Sequence, residues 1–301
     1  MKKNKLFCTI FTPTYNRADL LKRLYNSLLN QTDNDFEWLI VDDGSNDNTE
    51  EIIDKFKTEK KIFIRYYKQS NGGKHRAINN GIDKANGEVF AIVDSDDYLV
   101  KNAVEKIKNG FKEIIGIDDK LYAGIAFQRG YKIDEAIGTS FSNINYLDAK
   151  STERRKNNIN GDKFEIFYTN VLKNNKFPEY LNEKFMTEAI VWTRIANAGF
   201  YIRWYNDIVY ICNYLDGGLT DTRDKLIEES PKGYALYIKE QVEFGNITLK
   251  QKLGFYSYYA NIRKKKCNLK KISKELNTSV FNIYISLVMR RIVNLFRRKN
   301  E

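Results

Sequence analysis

Short apolar runs alternate with longer stretches of helical periodicity over the first hundred residues. LFCTIFT, residues 6–12, reads as a buried strand and is followed by a turn over residues 13–17. In ADLLKRLYNSLLNQ, Leu20, Leu21, Leu24, Leu28 and Leu29 recur at helical spacing and share one face. FEWLIVDDGS is a second strand ending in two carboxylates and a glycine, and Asp47 and Thr49 then stand where helix caps belong, ahead of EEIIDKFK. A third strand, KIFIRYYKQ, breaks at NGGK; the helix HRAINNGIDKA stops at Gly87, and EVFAIVDSDDYL is the fourth strand. This alternation predicts an α/β fold, a Rossmann-like, mostly parallel central sheet flanked by helices.

In open sheets of this kind, ligands bind beyond the carboxyl ends of the strands. TPTYNR, DDGS, NGGK and DSDD each follow a strand, so all four polar clusters are expected on one rim, around one site. After Leu99 the pattern loosens. Residues 101–115 look helical, LYAGIAFQRG looks like a strand and its turn, and KFEIFYTNVLK suits strand or helix; the rest of 131–185 is unassigned. TEAIVWTRIANAG reads as an amphipathic helix with Gly199 as its stop, and from about residue 226 onward the pattern is helical and basic.

Composition narrows the function. The 301 residues are 42% hydrophobic with only three prolines, which says globular. Cys8, Cys212 and Cys267 lie far apart, and His75 is the only histidine, so neither a zinc cluster nor a Ser/His/Asp triad is expected. Net charge is +11, and residues 262–301 hold twelve Lys or Arg against two Glu, so a basic terminal region follows a nearly neutral body. In SVFNIYISLVMRRIVNLF the arginines alternate with apolar residues, which suits a helix at an anionic membrane surface and does not match the aromatic-basic surface of a nucleic-acid binder. No stretch approaches the roughly 18 apolar residues that cross a bilayer, and the apolar run after the basic start is short for a signal peptide. The expected setting is the cytosol, with peripheral contact at the inner face of the cell membrane.

The candidate chemistry sits on the rim. Asp94 and Asp96, one residue apart at a strand end, can offer oxygen ligands to Mg²⁺ or Mn²⁺; the bland alternative is a capped, solvated turn. Asp42 and Asp43 can accept hydrogen bonds from a base or ribose, and Lys74, in a Gly-rich turn before a helix, can meet a phosphate. These features describe a site for a nucleoside diphosphate.

FTPTYNR, IVDDGSNDNT, NGGKHRAINNGI and the DSD triplet, in this order and spacing over residues 6–99, resemble the nucleotide-sugar half of family 2 glycosyltransferases of the GT-A fold. The resemblance implies metal-assisted, inverting transfer of a sugar from a nucleoside diphosphate, usually UDP, to a hydroxyl of a glycan or lipid-linked acceptor in bacterial surface-polysaccharide synthesis. By residue, it implies that Thr12, Pro13, Tyr15 and Arg17 line the nucleotide pocket and that Asp42 or Asp43 contacts uracil. Lys74 would lie near the uracil or phosphates, Asp94 with Ser95 would face the ribose, and Asp96, with Asp94 beside it, would hold the metal. Glu188, Arg194 and Gly199 reproduce the spacing that follows the family's catalytic base, which makes Glu188 the candidate base, although Thr187 replaces the usual preceding acid. YLDGGLT, residues 214–220, resembles a donor-side loop. The QxxRW motif of processive members is absent, so single addition is expected. The implied organisation is a GT-A domain over 1–225, with a nucleotide half (1–99) and an acceptor half (100–225), then a helical basic region over 226–301. A nucleotidyltransferase would open with a Gly-rich phosphate loop, unlike TPTYNR, and a basic nucleic-acid-binding protein is the remaining alternative.

Overall fold

The computed structural model describes residues 6–298 except 118, 142–143, 214–221 and 246. Strand β1 (Cys8–Thr14), helix α1 (Ala18–Leu29), β2 (Phe36–Asp42), α2 (Thr49–Thr58), β3 (Ile64–Lys68), α3 (Lys74–Lys84) and β4 (Val89–Ile92) follow the alternation read from the sequence. One boundary moves: β1 continues through Pro13, where a turn was expected. Its pairing with β4 ends at Phe11 and Ile92, so the missing proline N–H leaves no ladder bond unmade on that side.

The second half adds β5 (Tyr98–Leu99), α4 (Ala103–Ile114), β6 (Tyr122–Lys132), β7 (Glu135–Ala136), β8 (Tyr146–Ala149), β9 (Lys163–Tyr168), α5 (Thr169–Asn174), α6 (Ala189–Asn197) and β10 (Tyr201–Ile211). Among the described residues the helices α7 (Arg223–Glu229), α8 (Pro231–Phe244), α9 (Leu249–Arg263), α10 (Leu269–Glu275) and α11 (Val280–Arg298) follow. The main path through the sheet is β3-β2-β1-β4-β9-β6-β10-β5. The first four strands are mutually parallel, β6 and β10 keep that direction, and β9 and β5 run against it. The sheet is therefore mostly parallel. KFEIFYTNVLK, open between strand and helix, is both, with β9 passing directly into α5. The expected fourth strand is shorter than its apolar run, because Asp94–Asp97 closes a turn in which the Asp97 N–H donates to the Asp94 carbonyl at 3.2 Å.

Period-two alternation sends side chains to opposite faces of the sheet. Cys8, Ile10, Trp38 and Ile40 meet Leu21, Leu24 and Leu28 of α1 on one face; Phe11, Leu39, Val41 and Phe90 meet Ile78 of α3 and Ile190 of α6 on the other. Each of those α1 leucines is fully buried, so truncating one to Ala costs about 2–5 kcal/mol. A third cluster, built on Ile227, Tyr234, Ile238, Tyr259, Ile272 and Ile283, belongs to the terminal helices. Those helices are fastened to α6. Arg194 donates to both carboxylate oxygens of Glu240 on α8 at 2.6–3.1 Å, and Gln241 Nε2 donates to Thr193 Oγ1 at 2.7 Å.

Candidate active site

The rim loops hold one another through polar side chains. After β1 the chain turns at Asn16, whose positive φ of 51° is one that asparagine tolerates. Its N–H donates to Ser45 Oγ at 2.8 Å, and its side-chain oxygen accepts from the Asn46 N–H at 2.8 Å. The Asp43 carboxylate then ties the loop after β2 to the glycine turn before α3. Oδ1 accepts from Gln69 Nε2 at 2.8 Å and the Gly72 N–H at 2.9 Å; Oδ2 accepts from Asn71 Nδ2 at 3.1 Å and the Gly73 N–H at 2.7 Å. Gly73 needs its φ of 97°, and a Cβ there would stand 1.9 Å from the Lys184 carbonyl oxygen. That contact brings the segment leading to α6 against the glycine turn.

Asp42 has no exposed surface; its carboxylate accepts from the Ser45 N–H at 2.7 Å and from Tyr66 Oη at 2.8 Å. Of the two acids considered for a base, only Asp43 keeps any accessible surface, and little of it. Thr12, Pro13 and Ser95 are buried too, with Thr12 Oγ1 accepting from Trp38 Nε1 at 3.0 Å, so these three lie beneath the surface of the rim. Tyr15 is exposed and Arg17 half-buried.

The DSDD turn is surrounded by cations. Arg17 pairs with Asp96 at 2.6 Å, and Arg23 donates to the Asp96 carbonyl. Lys74 Nζ stands 2.7 Å from Asp94 Oδ1 and 2.9 Å from Glu188 Oε1, and Arg129 NH1 is 3.8 Å from Asp94 Oδ2. Burial alone would raise the Asp94 pKa, but Lys74 and Arg129 more than offset it and hold the carboxyl below the usual range. Burial would likewise lower Lys74, and its two acids keep it charged. Asp97 turns inward, accepting from Tyr210 Oη at 2.6 Å and the Asn213 N–H at 2.8 Å; burial, with the Asp94 charge beside it, pushes its pKa up to about 6.

Thus the structure gathers Lys74, Asp94, Asp96, Arg17 and Glu188, which lie up to 171 positions apart in the chain, into one cluster. Glu188 precedes α6, and the helix closes with the glycine stop read from the sequence: the Phe200 N–H returns to the Ile195 carbonyl and the Gly199 N–H to Ala196, with Gly199 at φ 97°. Arg194 does not enter the cluster, because Glu240 holds it on the other side of α6. Arg129, on β6, and Tyr210, on β10, were not foreseen. An Arg within an apolar strand run was a signal, yet its approach to Asp94 depends on β9 lying between β4 and β6. His75 is buried, its pKa pushed down to about 4 by burial and then by Arg76, so it stays neutral within α3. The expected donor-side loop, residues 214–220, lies outside the described residues.

Fold and rim define an α/β protein with acidic and basic side chains clustered at the carboxyl ends of its parallel strands. The family model for glycosyl transferase family 2 matches residues 9–173, more than half of the sequence, and the chain belongs to that family. A GalNAc(5)-diNAcBac-PP-undecaprenol beta-1,3-glucosyltransferase of Campylobacter jejuni is 30% identical over 208 residues, 64% of this chain and 61% of the relative's own length. A chondroitin synthase of Pasteurella multocida is 41% identical over 97 residues, 32% of this chain and 10% of the synthase. Among solved structures, S. aureus TarS 1-349 in complex with UDP-GlcNAc superposes with a TM-score of 0.62 at 17% identity, covering 95% of this chain and 91% of that one. A mannosyltransferase of Pyrobaculum calidifontis, in complex with GDP-Man and Mn2+, does so at 0.55 and 15% identity, covering 93% and 86%. At these identities the likeness establishes the GT-A fold.

Proposed function

We propose that the protein transfers a sugar from a nucleoside diphosphate, UDP in the first instance, to a hydroxyl of a glycan or lipid-linked acceptor in bacterial surface-polysaccharide synthesis, with inversion and with a divalent cation. The observation that carries this reading is the Lys74 bridge: one ammonium lies within 2.9 Å of both a candidate metal ligand, Asp94, and the candidate base, Glu188. A donor end and an acceptor end would then share a single contact.

The residues fit a hard cation. Asp94 and Asp96 supply two carboxylates, and among the described residues no cluster of three acidic, His or Cys ligands exists, so the donor phosphates and water would complete the shell, as is usual for Mg²⁺. Thr14 Oγ1, buried at the end of β1 with no hydrogen-bond partner, adds a polar atom in want of one on the same rim. The cation, when bound, would neutralise charge developing on the leaving diphosphate. Lys74, Arg17 and Arg129 balance the acids beforehand and would turn toward the phosphates. Tyr15 offers an exposed ring to the base, and Asp43, its two oxygens taken up by Gln69, Asn71, Gly72 and Gly73, would shape the pocket through the loops it ties together, with Thr12, Pro13, Asp42 and Ser95 buried beside it. Glu188 would take the proton of the acceptor hydroxyl as that oxygen attacks the anomeric carbon from the side opposite the diphosphate, which inverts it.

Calorimetric titration with UDP-, GDP-, CMP- and dTDP-sugars, with and without Mn²⁺, tests the donor half. UDP-sugar binding that needs Mn²⁺ and is lost in Asp96→Ala is expected; equal binding by the variant without metal would remove the cation from the reading. Glu188→Gln should keep donor binding and lose roughly 10²–10⁴-fold in transfer rate. Wild-type turnover by that variant would take Glu188 out of the base role.

A further inference from the structure

Helix α11 carries its apolar stripe on the side away from the protein. Its inner face, with Ile283 and Ser286 buried, rests on α9 and α10. Counting from Phe281, positions i+4, i+7 and i+11 are Ile285, Val288 and Ile292, which line the opposite face at helical spacing. Phe281 is 68% exposed and Ile292 41%, with Tyr284 at 58% and Met289 at 47% beside them. A surface helix of a globular protein normally points such a stripe inward. A contiguous exposed apolar strip of this kind marks an interaction surface.

Charge identifies the occupant. Exposed Arg291 borders the stripe beside Tyr284 and Val288, while Arg290 turns inward over the Tyr258 ring of α9; Lys264–Lys266 at the end of α9 and Lys270, Lys271 and Lys274 in and around α10 are exposed, and residues 262–301 hold twelve basic residues against two acidic ones. An apolar strip flanked by cations matches an anionic lipid leaflet in both respects: the side chains enter the acyl boundary while Lys and Arg meet the headgroups. No helix among the described residues is long and apolar enough to cross a membrane, and the exposed Arg291 in mid-helix agrees with a helix lying in the interface plane. We propose that the outer face of α11, centred on Phe281, Val288 and Ile292, docks the protein on an anionic bilayer surface. The inference does not depend on the donor chemistry. If that chemistry holds as well, docking would bring the cleft to an acceptor carried on a lipid.

Flotation of the full chain with phosphatidylcholine vesicles, with and without phosphatidylglycerol, tests this. Wild type should float only with phosphatidylglycerol, and less so at high salt. Combined Phe281→Ser, Val288→Ser and Ile292→Ser should lower the bound fraction more than roughly tenfold, since each large apolar side chain kept from water is worth about that factor. Far-UV circular dichroism and nucleotide binding of the variant should match wild type, which separates failed docking from failed donor recognition. Should the triple variant misfold, Phe281→Gln alone, at a largely exposed position, should still weaken flotation. Wild-type flotation by either folded variant, no flotation of wild type, or a lipid-free wild-type dimer that the variant turns into a monomer would overturn the proposal; the last result would assign the face to a second copy of the chain.

Discussion

Replacing Glu240 with alanine should loosen the helix that carries Glu188. The Glu240 carboxylate is largely buried, and Arg194 Nε and NH2 reach it at 2.6–3.1 Å from α6. Removing one partner of a fully buried pair costs about 3–5 kcal/mol, chiefly because the orphaned charge stays dry. Here the Arg194 side chain is 33% exposed and can recover water, so the loss should be nearer 2 kcal/mol. Around 25 °C that is roughly a 30-fold shift toward separation of α8 from α6. Urea unfolding followed by tryptophan fluorescence reads the stability, and donor titration beside transfer kinetics reads the site. The midpoint should fall, donor affinity should hold because Asp94 and Asp96 sit beyond β4, and the transfer rate should drop as Glu188 loses its position. The charge-reversed pair, Arg194→Glu with Glu240→Arg, should recover part of both losses. A Glu240→Ala protein with wild-type midpoint and rate would show that the clamp positions nothing.

Other substitutions probe the rim and the core. Gly73→Ala combines an unfavourable φ of 97° with a Cβ 1.9 Å from the Lys184 carbonyl oxygen; a loss of at least about 2 kcal/mol, with weakened donor binding, is expected in thermal unfolding, and an unchanged melting temperature would contradict it. Asp43→Asn sets an amide NH2 against donors that the carboxylate now accepts, so about 2–4 kcal/mol should be lost with donor affinity, and isothermal titration of the variant checks it. The His75 pKa is depressed to about 4, so as pH falls from about 6.5 toward 4 the unfolded chain takes up a proton that the folded one refuses. This group alone should therefore cost up to about 3 kcal/mol through that window, against the opposite contribution of Asp97, whose raised pKa adds stability as pH falls, so the urea midpoint of His75→Gln should rise relative to wild type as pH is lowered. Parallel slopes would refute the assignment.

Much of the first hundred residues is legible because each element's own side chains carry its period. The α1 leucines recur every three or four positions, and β1 and β2 are mostly apolar and buried throughout because both faces of the sheet are covered. The four rim motifs could be placed together for the same reason, since parallel strands leave their carboxyl ends on one side. Local pattern carried less information beyond residue 130. Nothing within KFEIFYTNVLK says that its strand enters between β4 and β6, and β10 had no expectation at all, because partner choice rests on contacts between segments distant in the chain. Arg129 beside Asp94 depends on that pairing.

Side-chain partners were the other hidden layer. The glycine turn and the acidic strand end were visible as motifs, but that Asp43 grips Gly72 and Gly73 with both oxygens is a matter of angstroms. Arg194 matched a spacing that pointed toward the base, and the fold turned it to Glu240. In α11, helical period and basic character could be read directly, because both are sums over the residues of one segment. Which face rests on α9 could not: an amphipathic pattern has the same period whether its apolar side points in or out, and only the packing of neighbouring helices against Ile283 and Ser286 selects one.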